Sequence, residues 1–189
     1  YPDNGRADAH GIETLGRLGV EVTCRPWVTD APAWLRRHGR QLHAVMLCRY
    51  PVAEQYAALV RRHAPQAMLI FDTVDLHFLR ERRAAELSGS AALMRLADDS
   101  RRGELAQVQS SDVTLVVSPV ERELLAREAP KARGELRSNV HEVFCRGAPF
   151  TGRRDLVFVG GGAHLLNADE LRWLTADILS RIRAQDPDS

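Results

Sequence analysis

Between Asp72 and Arg82 the chain gathers groups able to move protons and hold anions. Two carboxylates (Asp72, Asp75), an imidazole (His77) and the charged residues Arg80, Glu81 and Arg82 fall in one short stretch. Carboxylate and imidazole suit general acid–base work, and guanidinium suits a developing negative charge. Directly before them runs Met68, Leu69, Ile70 and Phe71, an apolar segment that follows Pro65. Such a run reads as a buried parallel strand opening into a loop. In open α/β sheets ligands bind beyond the carboxyl ends of the strands, so this loop is a candidate cleft. The same residues also fit a structural role, a charged helix start capped by Asp72 or Asp75.

Two further helix starts could handle an anion. Ser118-Pro119-Val120-Glu121 forms a capping box with proline at the first helical position, directly after an apolar strand. Most capping boxes are purely structural. The second start is Gly160-Gly161-Gly162, followed by Ala163, His164, Asn167 and Glu170. Glycines after a strand let backbone N–H groups approach a phosphate, and a following helix dipole favours its charge. The dinucleotide fingerprint is missing, because its final glycine would fall on Leu165. His77, His141 and His164 each follow a strand-like stretch, but their spacing matches no zinc pattern, and each also fits a structural histidine. Asp186 and Asp188 trail a helix, and no nucleophile motif or cysteine–histidine pairing is present.

These groups need a frame, and the frame alternates. Ile12, Leu15 and Leu18 recur at helical spacing up to Gly19, and residues 20–24 (VEVTC) read as a strand. A helix over 31–39 tolerates Pro32 in its first turn. The next strand covers 42–48, a helix follows to Pro65, and then comes the Met68 strand. Residues 79–109 read as one or two helices with a break at Ser88-Gly89-Ser90. Residues 113–118 are another strand, 132–140 a poor one, and 146–154 a linker. Strand alternating with helix predicts a parallel, doubly wound α/β sheet.

At 189 residues and 44% apolar content the chain can bury a proper core. A net charge of +1 demands neither nucleic acid nor a membrane, since 26 basic residues meet 25 acidic ones. Cys24, Cys48 and Cys145 are odd in number and widely spaced. Cys24 and Cys48 fall on expected strands, which predicts buried free thiols in a reducing cytoplasm. Glu81, Glu86, Asp98, Asp99 and Glu104 dilute the arginines of the long helical stretch. An ordinary solvated face is expected there, in preference to a membrane-docking one.

Four ordered segments carry a family resemblance. Residues 72–83 (DTVDLHFLRERR), 111–125 (SDVTLVVSPVERELL), 138–143 (SNVHEV) and 156–173 (LVFVGGGAHLLNADELRW) resemble bacterial family-four glycosyltransferases. Those are retaining, nucleotide-sugar-using enzymes of GT-B fold. Residues 1–8 (YPDNGRAD) are similar to the loop after that family's first strand. The resemblance implies an acceptor-side Rossmann-like domain over 1–145 and an interdomain linker over 146–155. Residues 156–189 would then be the first strand and helix of a truncated donor-binding domain, and the chain a segment of a longer protein. It further implies transfer of a sugar from a nucleotide-diphosphate donor to a glycan or lipid-linked acceptor, with retention and without an essential metal or cofactor.

By the same resemblance His77 is the catalytic candidate, and Asn139, His141 and Glu142 lie at the crossover between domains. They join Asp72, Asp75, Arg80 and Ser118, which the strand-end pattern itself marks as cleft candidates. Gly161, Gly162, His164 and Asn167 would face the donor diphosphate. Ser138 departs from the family's usual proline, Gly162 from its aromatic, and Leu165-Leu166 from its prolines. The implied location is cytoplasmic, with a peripheral contact to the inner membrane as an option, and the piece alone is expected to be inactive. An apolar stripe of Leu171, Leu174, Ile178, Leu179 and Ile182 on the last helix must pack on the first domain, pair with a second copy, or leave the helix poorly ordered. Two other classes stay open: a non-catalytic α/β binding or scaffold domain, and a different nucleotide-binding enzyme such as an oxidoreductase.

Overall fold

The computed structural model describes residues 1–2, 4–140, 147, 149, 151, 156–160 and 165–185. The chain divides into two compact units, residues 1–79 with 97–139, and residues 80–96 with 140–189.

The first unit is built on a four-stranded, all-parallel sheet in the order β1-β2-β3-β4, flanked by helices. β1 is Ala44–Cys48, β2 Met68–Asp72, β3 Val113–Val116 and β4 Gly134–Leu136. Ala44 stands opposite Met68, Ile70 opposite Val113, and Thr114 opposite Gly134. The α/β class and parallel sheet are therefore as the alternating pattern predicts. Two helices precede the sheet, α1 (Ala9–Arg17) and α2 (Ala31–His38). Helix α3 (Tyr50–His63) packs on β1 and β2, and α6 (Pro119–Glu128) on β3 and β4. Leu69, Phe71, Val60, Val108, Val116 and Leu125 are almost wholly buried. Each such side chain contributes roughly 1.5–3 kcal/mol by leaving water.

The long arginine-rich stretch is two helices, α4 (His77–Ser88) and α5 (Ala91–Ser110). Gly89 adopts φ +64° between them, the left-handed turn that glycine takes without steric cost. Ser90 Oγ then accepts the Leu93 N–H at 3.3 Å and opens α5.

Three expectations need correction. Residues 20–24 form no strand, because among the described residues no neighbouring strand pairs with them to complete a ladder. Cys24 is buried but off the sheet, whereas Cys48 on the sheet's edge is exposed, and Cys145 lies outside the described residues. Glu104, expected on a solvated face, is wholly buried. It shares the inward stripe of α5 with Ala97, Ser100 and Val108.

In the second unit, residues 156–160 form no strand, and Val157 and Val159 are 83% and 90% exposed. Helix α7 (Leu165–Trp173) runs through a π-helical turn, Leu174–Ile178, into α8 (Leu179–Gln185). None of the five stripe residues is fully buried, and Leu171 is exposed. Among the described residues no helix is long and apolar enough to cross a membrane.

Candidate functional site

The carboxyl edge of the sheet is where the polar groups meet. Asp72 ends β2 and is 2% exposed. Arg137 follows β4, two strands away, and its own N–H extends the β3 ladder by bonding the Val116 carbonyl at 2.8 Å. From there its guanidinium reaches back to Asp72 Oδ2 at 2.7 Å. Asp72 Oδ1 accepts the Val74 N–H at 3.2 Å, and Cys48 Sγ lies 4.0 Å from Oδ2. Burial, and then the charge on Asp72, push the Cys48 thiol's pKa up, against the opposing pull of Arg137, Arg49 and the amino terminus. Cys48 is therefore a protonated thiol at neutral pH and a poor nucleophile. Asp72 serves as an anchor for this edge rather than as a free base.

The loop leaving β2 is fixed by carboxylates from two other elements. Glu121 Oε1 accepts the Leu76 N–H at 3.1 Å, while its Oε2 accepts the Val117 N–H at 3.0 Å. Glu104 Oε1 accepts from His77 N and Oε2 from Phe78 N, each at 3.1 Å. Within this loop Val74 holds φ +64°, and Arg49 at the end of β1 holds φ +76°. Left-handed backbone at a β-branched residue costs on the order of 1–3 kcal/mol and survives only where the surroundings impose it. Both strained residues sit at the carboxyl edge.

His77 opens α4 with its side chain half-buried. Its ring lies 6.3 Å from that of Tyr50, tilted by 56°. Tyr50 is oriented in turn by donating its hydroxyl to Glu54 at 2.6 Å. The space for that phenol exists because residue 103 is glycine: a Cβ there would stand 2.1 Å from the Tyr50 oxygen.

The other expected positions divide as follows. Asp75 is half-buried in the same loop. Ser118 caps α6, its Oγ accepting the Glu121 N–H at 3.2 Å. Asn139 is exposed just past Arg137, and Arg80, three residues on in α4, belongs to the second unit. Asn167 lies on α7, near Gly160. His141, Glu142, Gly161, Gly162 and His164 lie outside the described residues. The sheet edge thus brings together Asp72, Asp75, His77 and Ser118, and adds Arg137, Tyr50 and Glu104.

Helix starts α4 and α6 already receive protein acceptors, Glu104 at the first and Ser118 with Glu121 at the second. The capping box is structural here. An anion at this edge would meet side chains before helix amides. Among the described residues no group of three or more His, Cys, Asp or Glu is placed to hold a metal ion.

No family model, curated protein or solved structure matches this chain.

Proposed function

We propose that this chain is the acceptor-side part of a retaining sugar transferase that uses a nucleotide-diphosphate donor. The bond from the anomeric carbon to the donor diphosphate breaks, and the diphosphate leaves with the electron pair. The acceptor hydroxyl oxygen bonds on the same face and passes its proton to the departing diphosphate oxygen. His77 stands over the reacting sugar, at the start of α4, where Glu104 holds its N–H and Glu121 fixes the loop just before it. Rigid support of this kind is what preorganised catalysis requires. By the family resemblance, Gly161, Gly162, His164 and Asn167 would be the donor-diphosphate residues, and Asn139, His141 and Glu142 further cleft residues. A glycan or lipid-linked hydroxyl is the acceptor.

The observation that carries this reading is the fixed placement of His77 at the carboxyl edge of a parallel sheet, beside strained backbone at Val74 and Arg49. It is joined by the resemblance of four ordered segments. The test is a panel of uridine, guanosine and thymidine diphosphate sugars, offered to the longest form of the protein together with glycan and polyprenyl acceptors. Acceptor-dependent release of nucleoside diphosphate supports the reading, and its absence across the panel counts against it.

A binding or scaffold role is the second reading. It is favoured by the two helix starts at this edge, whose amides are already engaged by Glu104, Ser118 and Glu121. Sugar or lipid binding without turnover would select it.

A further inference from the structure

Arg137 is the cation at the carboxyl edge that no sequence motif marks, and only part of its guanidinium is engaged. Asp72 Oδ2 takes one N–H at 2.7 Å, and among the described residues no other acceptor meets the group. A guanidinium carries five N–H groups in a planar fork, so most of the fork stays available. The Arg137 side chain is 51% exposed, whereas that of Asp72 is 3% exposed. The pair thus has a buried half and an open half. A buried ion pair that serves stability alone needs its remaining donors satisfied as well. Here the carboxylate fixes one end of a fork that reaches solvent.

A second arginine stands beside the same carboxylate. Cys48 and Asp72 face each other across β1 and β2, and the next residue, Arg49, donates its N–H to the Asp72 carbonyl at 2.8 Å. Arg49 is exposed and holds its left-handed backbone at this point. Strain of this kind gathers at ligand sites. Burial and then Asp72 raise the Cys48 thiol's pKa, and Arg137 and Arg49 both pull against them, so both charges act on one sulfur. Glu104 and Glu121, also at this edge, have both oxygens occupied by backbone N–H groups. Around Asp72 the positive charge is in excess.

We propose that Arg137 and Arg49, organised around Asp72, bind a phosphate group, and that this phosphate belongs to the acceptor. Guanidinium forks match phosphate oxygens two at a time. The three residues lie within the first unit, whereas Gly161, Gly162, His164 and Asn167, matched by resemblance to the donor diphosphate, fall in the second. The acceptor class is then a glycan or lipid linked through phosphate or diphosphate, not a neutral one. The assignment to the acceptor rests on the sugar-transfer reading, while the phosphate site stands without it.

The test is calorimetric titration of the protein with geranyl diphosphate, uridine diphosphate and inorganic sulfate at low ionic strength. Geranyl diphosphate is expected to bind more tightly than the other two. Arg137→Gln should weaken it by about tenfold or more, the loss expected from one hydrogen bond between charged groups, and Arg137→Lys should restore part. Arg137→Gln alone leaves Asp72 buried without its cation, so the double variant Asp72→Asn/Arg137→Gln, checked for folding by circular dichroism, must lose binding as well. Geranyl diphosphate binding that ignores Arg137, or that is no tighter than sulfate binding, overturns the site. Uridine diphosphate as the tighter, Arg137-dependent ligand overturns the acceptor assignment, as does transfer to a neutral glycan that is indifferent to Arg137 while the sugar-transfer reading survives. Arg137-dependent diphosphate binding without transfer to any acceptor would refute that reading and retain the site.

Discussion

The buried carboxylate of Glu104 receives the backbone N–H of His77 at 3.1 Å, so the proposed catalytic residue is held from a helix that follows it in the chain. The same carboxylate takes the Phe78 N–H. Glu104→Ala strips both donors of their acceptor and should cost about 2–4 kcal/mol, because a buried unpaired N–H keeps its full desolvation penalty. Glu104→Gln retains one acceptor oxygen and should cost less. Urea denaturation of the two variants checks the order, and an Ala variant as stable as the parent would contradict it.

Gly103 and Tyr50 should prove coupled. A methyl at 103 meets the phenol at 2.1 Å, so Gly103→Ala should destabilise the protein despite alanine's better helix propensity. In a Tyr50→Ala background the clash is gone, and the same substitution should turn stabilising by about 0.5–1 kcal/mol. Gly16 has nothing within 4 Å of its added Cβ, and Gly16→Ala serves as the uncoupled control. Additive effects at 103 and 50 would contradict the packing described.

Acid should weaken the join between β2 and β3. Arg61 forks onto both oxygens of Asp112 at 2.9 Å each, and Asp112 Oδ2 also accepts the Leu69 N–H at 2.7 Å. The Arg61 hydrogen bonds first, and the Leu69 N–H second, hold the Asp112 carboxyl below its ordinary 3.8. A depressed folded-state pKa means the contribution is complete above that ordinary value and is lost as pH falls through the lower one. Asp112→Asn should therefore lower the melting temperature at pH 7 and matter progressively less below about pH 4. The pair is partly exposed, so salt should shrink the effect. A gap that widens in acid would refute this assignment.

Local signals carried much of the fold. Three strands showed as apolar runs, the helix break showed at Gly89, and Ser118 showed as a cap. What escaped the sequence is non-local. A strand needs a neighbour, so residues 20–24 carry strand composition without a ladder. Arg137 lies 65 residues from Asp72, and nothing in either segment announces the pair. Glu104 was legible in principle: its spacing with Ala97, Ser100 and Val108 marks the inward face of α5, but its charge suggested water. Tyr50 beside His77 depends on the small residue at 103, which no motif records.

The most direct measurement is nucleoside diphosphate release from nucleotide sugars by the longest form of the protein, native against His77→Ala, with folding checked by circular dichroism. A positioned side chain acting on the reacting groups contributes about 10²–10⁴ in rate. Turnover should fall by at least about a hundredfold on that scale, with the melting temperature little changed. Undiminished turnover in the folded variant would remove His77 from the reaction, and with it the proposed role of this sheet edge.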